Sequence, residues 1–176
     1  MLKIDYPPIL DATCGGRMMW FDHNNPACLY VDNRQLEPTN LGNGRIFSVQ
    51  PDMVADFRNL PFPDKTFHLV VFDPPHLIRV SDQAYMRVKY GRLGSTWRDD
   101  LRTGFEECMR VLDDYGVLIF KWSEVQIPTS KVIEAIGQKP LFGHISGKKS
   151  NTHWMTFMRF PREWSDQPLE NVNYAG

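Results

Sequence analysis

Four consecutive residues, Asp73-Pro74-Pro75-His76, carry the sharpest chemical pattern in the chain. Two adjacent prolines remove two backbone donors and stiffen the segment, so the Asp73 carboxylate and the Pro74 carbonyl can form a fixed pair of acceptors. Such a pair suits the two hydrogens of an amine. The bland alternative is a Pro-Pro step that only blocks continued strand pairing. A second pattern, Asp11-Ala12-Thr13-Cys14-Gly15-Gly16, places glycines where a ligand can approach backbone N–H groups at little steric cost. The same turn would also serve a plain strand-to-helix junction.

These residues must be positioned by the elements around them. An apolar run over residues 8–12 leads into the glycine turn, and Arg17-Met18-Met19-Trp20-Phe21 is expected to open a helix. A second strand over 27–31 starts after Pro26 and ends on Asp32, about twenty residues past the turn, where nucleotide-binding α/β folds place the acid that holds ribose hydroxyls. An acid there is also commonly a turn residue or a cap. Residues 33–50, with Pro38, Gly42, Asn43 and Gly44, are expected to be a loop, and 53–55 lead to Asp56. Residues 67–72 form the strongest strand, nearly continuous in apolar residues as in a central parallel strand covered on both faces.

Trp97, Leu101, Phe105, Cys108, Met109 and Leu112 have helical spacing, and Asp113-Asp114-Tyr115-Gly116 is expected to end that helix. A strand over 117–122, a short helix over 130–136 closed by Gly137, and a final hairpin of 141–145 with 152–160 follow. This alternation predicts an α/β sandwich with a mostly parallel sheet and its site at the carboxyl ends of the strands, where Asp11, Asp32, Asp56 and Asp73 all fall.

With 176 residues, 42% of them hydrophobic, the chain is expected to form one domain, with a core over 8–160 and a polar tail over 161–176. No stretch is long and apolar enough for a membrane span and no signal peptide is visible, so a cytoplasmic location is expected. Cys14, Cys28 and Cys108 include no C-x-x-C pair, and His23, His68 and His144 are isolated, so no metal site is expected. A net charge of -1 confines any nucleic-acid contact to local patches. The candidate patch is the segment from Arg79 to Arg98, where Arg79, Arg87, Lys89, Arg92 and Arg98 interleave with Tyr85, Tyr90 and Trp97 against Asp82 alone. That composition suits phosphate contacts with base stacking, and equally a solvated surface loop. Lys148 and Lys149 at the hairpin tip either add phosphate contacts or guard a sheet edge. Trp122 either walls the acceptor pocket or packs in the core, while Trp154, Thr156 or their neighbours should be buried.

The order of these motifs, with Asp-Pro-Pro-His after the fourth strand, resembles the S-adenosylmethionine-dependent amino-methyltransferases that carry D-P-P-Y/F/W and act on exocyclic amines of bases. Asp11, Cys14 and Gly15 match that family's D-P-F-C-G-x-G, and Arg17 departs from it where the last glycine usually stands. The likeness is greatest to small enzymes of phage and prophage type. It implies a Rossmann-like sandwich with a mostly parallel seven-stranded sheet and an antiparallel C-terminal hairpin. It further implies S-adenosylmethionine as cofactor, with Asp11 and Thr13, Cys14, Gly15 and Gly16 on the methionine part, Asp32 on the ribose, and Asp56 and Phe57 at the adenine. Asp73, Pro74, Pro75 and His76 would face the acceptor, most simply adenine in DNA, with RNA or a small amine as alternatives.

Histidine replaces the family's aromatic fourth residue, so His76 can stack, hydrogen-bond or accept a proton. A sulfonium already activates the methyl group, so alignment of the amine should dominate the rate. Carbon-5 methylation of cytosine would need a nucleophilic cysteine, typically beside proline, and the chain has no Pro-Cys. The rival readings are a dinucleotide-dependent oxidoreductase, which leaves Asp73-Pro74-Pro75-His76 unexplained, and a non-catalytic module that binds nucleic acid.

Overall fold

The run FHLVVF at Phe67–Phe72 has too few polar residues for a half-solvated strand, and it lies at the centre of the sheet in a computed structural model of the chain. The structure describes residues 5–40, 44, 46–79, 91–143 and 151–161. In chain order the elements are β1 (Ile9–Asp11), β2 (Cys28–Asp32), β3 (Leu36–Asn40), β4 (Ile46–Val49), β5 (Met53–Val54), β6 (Phe67–Phe72), α1 (Trp97–Val111), β7 (Leu112–Ser123), α2 (Thr129–Ile136) and β8 (Thr152–Met158). Among the described residues one sheet has the order β5-β2-β1-β6-β7-β8. Its first five strands run parallel, and β8 is antiparallel to β7. The strand order reverses direction at β1 and β6, so the loops after these two strands border the crevice where an open α/β sheet takes its ligand.

The helix α1 lays Trp97, Leu101, Gly104, Phe105, Cys108 and Val111 on one face, a stripe that buries against the sheet. Gly104 is required there, because a Cβ would sit 2.4 Å from the Phe57 ring. That close approach holds Phe57 against Phe72 of β6, at 5.4 Å between ring centroids. At the far end of α1 the Arg159 guanidinium donates to the carbonyls of Met109, Arg110 and Leu112, which the helix itself leaves unpaired. The short helix α2 ends at Gly137, whose left-handed backbone returns its N–H to the Ile133 carbonyl.

Three expectations are corrected. No helix follows the glycine turn: Gly15 and Arg17 take positive φ of 49° and 55°, and the Arg17 guanidinium is spent on the His23 and Gln50 carbonyls and on Asp52. Left-handed residues at that point break the helical repeat before its first turn closes. Residues 33–50 are not a simple loop but contain the antiparallel ribbon β3–β4. The turn expected at 113–116 is absorbed into β7, where Tyr115 takes φ 62° while Tyr115 and Gly116 exchange backbone hydrogen bonds with Arg159. Among the described residues the sheet has six strands, and of the segment expected at 141–145 Phe142 bridges to Thr156. Gly143 follows with φ 135°, and 144–150 lie outside the described residues.

Candidate active site

The glycine turn and the Asp73 corner are tied by one hydrogen bond. The chain leaves β1 with Ala12 N–H on the Val71 carbonyl and Cys14 N–H on the Val31 carbonyl, so residues 12–14 stay within the sheet frame. Thr13 therefore faces the end of β6, and its hydroxyl accepts the Asp73 N–H at 2.8 Å. Gly15 donates its N–H to Asp32 at 2.9 Å, which fixes the turn to the end of β2. A Cβ on Gly16 would lie 2.7 Å from the Phe47 ring, so the β3–β4 ribbon closes over the turn only because a glycine is there.

Between these walls lies a cavity of about 260 Å³. It is lined by Thr13, Cys14, Gly15 and Gly16 on one side and by Asp73, Pro74, His76 and Lys121 on the other, with Met18, Met19, Arg34 and Trp154 completing the rim. A smaller cavity continues it past Thr13, Asp73 and Arg34 to Asp32, Phe57 and Pro75. Pro75 is itself packed, since a Cβ on Gly91 would come within 3.1 Å of its ring, and Leu93 donates to the Leu77 carbonyl. The Asp-Pro-Pro-His corner is thus held from both sides.

Charge in this crevice is arranged around Asp73. Burial pushes its carboxyl above the usual carboxylate range, and the Lys121 ammonium, 2.6 Å away, pulls it back down. Burial holds the His76 imidazole below its ordinary value, with the Asp73 charge opposing and the Lys121 charge assisting. A neutral His76 therefore faces the cavity, its ring edge-on to Trp122 at 6.3 Å. Burial also pushes the Cys14 thiol far up, which leaves it a poor nucleophile.

The remaining predicted residues fall in three places. Asp11 is fully buried beneath the turn, with its oxygens taking the Thr13 N–H and the Trp20 indole at 3.2 and 2.7 Å, and burial raises its pKa to about 7. Asp32 accepts the Gly15 N–H together with the Arg34 N–H, Nε and Nη2, which fills both of its oxygens. Asp56 lines neither cavity; its carboxylate is gripped by Arg58, which lowers its pKa, and Arg58 also reaches Asp100. Trp122 is wholly buried, with its indole N–H on the Ile127 carbonyl, and reaches the crevice only through His76. Arg79 and Arg92 are exposed and line neither cavity, and the Arg79 backbone is clamped by the Gln126 amide. Tyr85, Lys89, Tyr90, Lys148 and Lys149 lie outside the described residues.

Lys121, Arg34 and Trp154 line the crevice and were not among the predicted site residues. The signal for Lys121 was its place as a single cation among Phe120 and Trp122 at the carboxyl end of a strand next to β6. Of the residues expected in the core there, Thr156 and its neighbours Met155 and Phe157 are buried, while Trp154 is 48% exposed on β8. Its register partner is Lys121, whose ammonium stands 5.6 Å from the indole ring.

No family model and no curated protein matches the chain. Solved structures do. The PH0226 protein from Pyrococcus horikoshii OT3 aligns over 86% of this chain and 81% of its own, with a TM-score of 0.51 at 15% identity. The α/β fold is shared. SpnF, a 4+2 cyclase, aligns over 52% of this chain at 17% identity and TM-score 0.32, and this chain spans 33% of its length. TTHA0409, a "Putative DNA Modification Methylase" from Thermus thermophilus, aligns over 65% of this chain at 21% identity and TM-score 0.39, and this chain spans 60% of its length. The strand order and the likeness to PH0226 make the chain a Rossmann-like α/β sandwich with an antiparallel last strand. No helix among the described residues is long and apolar enough to cross a membrane.

Proposed function

We propose that the crevice is the active site of an S-adenosylmethionine-dependent methyltransferase that modifies an exocyclic amine of a nucleobase, adenine in DNA first and RNA next. One observation carries this reading: a single cavity is bounded by the Thr13–Gly16 backbone on one side and by Asp73, Pro74 and His76 on the other. A dinucleotide-dependent oxidoreductase would need the first wall and has no use for the second.

The residues present fit the cofactor. Gly15, at φ 49°, takes a conformation that favours glycine and leaves bare backbone facing the cavity. Met18 and Met19 supply an apolar wall, while Asp32 and Phe57 stand in the continuing cavity for the ribose and the purine. Because Arg34 fills the Asp32 oxygens, ribose hydroxyls would bind by exchange with that guanidinium. Bound S-adenosylmethionine supplies an electrophilic methyl group on a sulfonium.

The chain's own residues supply position and charge. Asp73 and the Pro74 carbonyl would take the two amine hydrogens, which orients the nitrogen lone pair and favours the positive charge that develops as the nitrogen is alkylated. Lys121 favours the ionised form of Asp73 against the burial that raises its pKa. The neutral imidazole of His76 offers a flat face and a hydrogen bond to a base without bringing a further cation. Calorimetry with S-adenosylhomocysteine and with NAD tests the reading: the first should bind in the micromolar range and the second should not, and binding of NAD alone would overturn it.

A further inference from the structure

Lys121 has no part in the motif that suggested the activity, yet it lies in the cavity wall beside Asp73 and His76. Its ammonium donates to Asp73 Oδ2 at 2.6 Å, and the Trp154 ring covers a second side at 5.6 Å. An ammonium has three donor hydrogens, so the Asp73 bond leaves donor capacity on the cavity side. We propose that Lys121 and Asp73 act as one reading pair, the carboxylate accepting from an amine and the ammonium donating to the ring nitrogen beside it. The inference rests on the methyltransferase reading and adds the class of acceptor to it.

The physical basis is complementarity. An acceptor and a donor held side by side on neighbouring side chains present the same pattern as the amide of asparagine, which pairs with the amine and ring nitrogen of adenine. Adenine and cytosine both offer an amine next to a ring lone pair. A protonated alkylamine, such as a lysine side chain, has no adjacent acceptor and would meet the Lys121 charge at close range. The pair is neutral overall, so the charge that develops on the alkylated nitrogen faces Asp73 with its counter-ion and no uncompensated cation. Trp154 limits the movement of the ammonium, and β7–β8 pairing sets it opposite Lys121.

The test uses the full chain and oligonucleotides carrying either the natural base or an analogue in which the ring nitrogen next to the amine-bearing carbon is replaced by carbon. The wild type should transfer methyl to the natural base about 5- to 150-fold faster than to the analogue, in kcat/KM. Lys121→Met should bring that ratio close to one, and Lys121→Arg, which keeps the donor, should preserve most of it. A wild type indifferent to the ring nitrogen, or a Lys121→Met variant with the wild-type ratio, overturns the inference and leaves the methyltransferase reading standing. A wild type that methylates no nucleobase removes both. The wild-type arm decides even where a variant fails to fold.

Discussion

Asp73 and Asp56 both follow a strand of the same parallel sheet, and both carry a cationic partner, but the two corners differ in where the cation comes from. Asp56 is closed by Arg58, two residues on, through the backbone N–H and the guanidinium together. That is a local, partly solvated turn, from which Arg58 also reaches Asp100 of α1. Asp73 is met by Lys121, 48 residues away on the next strand, in the wall of a cavity that His76 and the glycine turn also line. A carboxylate neutralised by its own neighbour needs nothing from the fold, whereas one neutralised from another strand exists only because the fold brings two strand ends together. The second kind marks a place where a ligand can enter the pair. Asp32 lies between these cases, gripped by Arg34 two residues on yet bound to the Gly15 N–H and facing the cavity.

The contrast can be broken by mutation, and the largest effect should come from the Asp73 corner. Asp73→Ala should lower methyl transfer by about 100- to 10,000-fold, measured with radiolabelled cofactor, while leaving cofactor affinity nearly unchanged. Full turnover in that variant would reduce the corner to a structural one.

Asp11 sharpens the comparison, because its bonded partners among the described residues include no cation. Burial then raises its pKa to about 7 against two opposing hydrogen bonds. The folded state holds this proton more tightly than the unfolded chain, so the stability it contributes is complete at pH below about 4 and is lost as pH rises towards 7. The loss is up to about 1.4 kcal/mol per pH unit. Denaturant titrations across that range should show the decline in the wild type and a flatter profile in Asp11→Asn; equal slopes would assign the proton elsewhere.

Asp32→Ala should weaken S-adenosylhomocysteine binding about tenfold to hundredfold by calorimetry, through the lost ribose contact and a loosened Gly15 turn. Unchanged affinity would make Asp32 a turn residue like Asp56. The smallest effect is expected at Asp56 itself, where Asp56→Ala should change cofactor affinity by less than about threefold. A tenfold loss there would restore the adenine contact that the resemblance implies.

Much of this was legible in the residues. The apolar run at Phe67–Phe72 and the Asp-Pro-Pro-His step after it needed only local rules, and the glycine turn was placed correctly beside them. The stripe of α1 was readable from its spacing. What failed depended on contacts distant in sequence. The helix expected at Arg17 is undone by an arginine that reaches Asp52. Lys121 is placed by sequence at a strand end near the cofactor mouth, but its pairing with Asp73 comes from the register that sets β7 beside β6.

The most direct measurement is mass spectrometry of nucleosides from the DNA and RNA of cells expressing either the wild type or Asp73→Ala. One N-methylated nucleoside, on an exocyclic amine, should rise with the wild type and stay at background with the variant. Identical nucleoside profiles in the two would contradict methyl transfer to a nucleobase amine at the Asp73 corner.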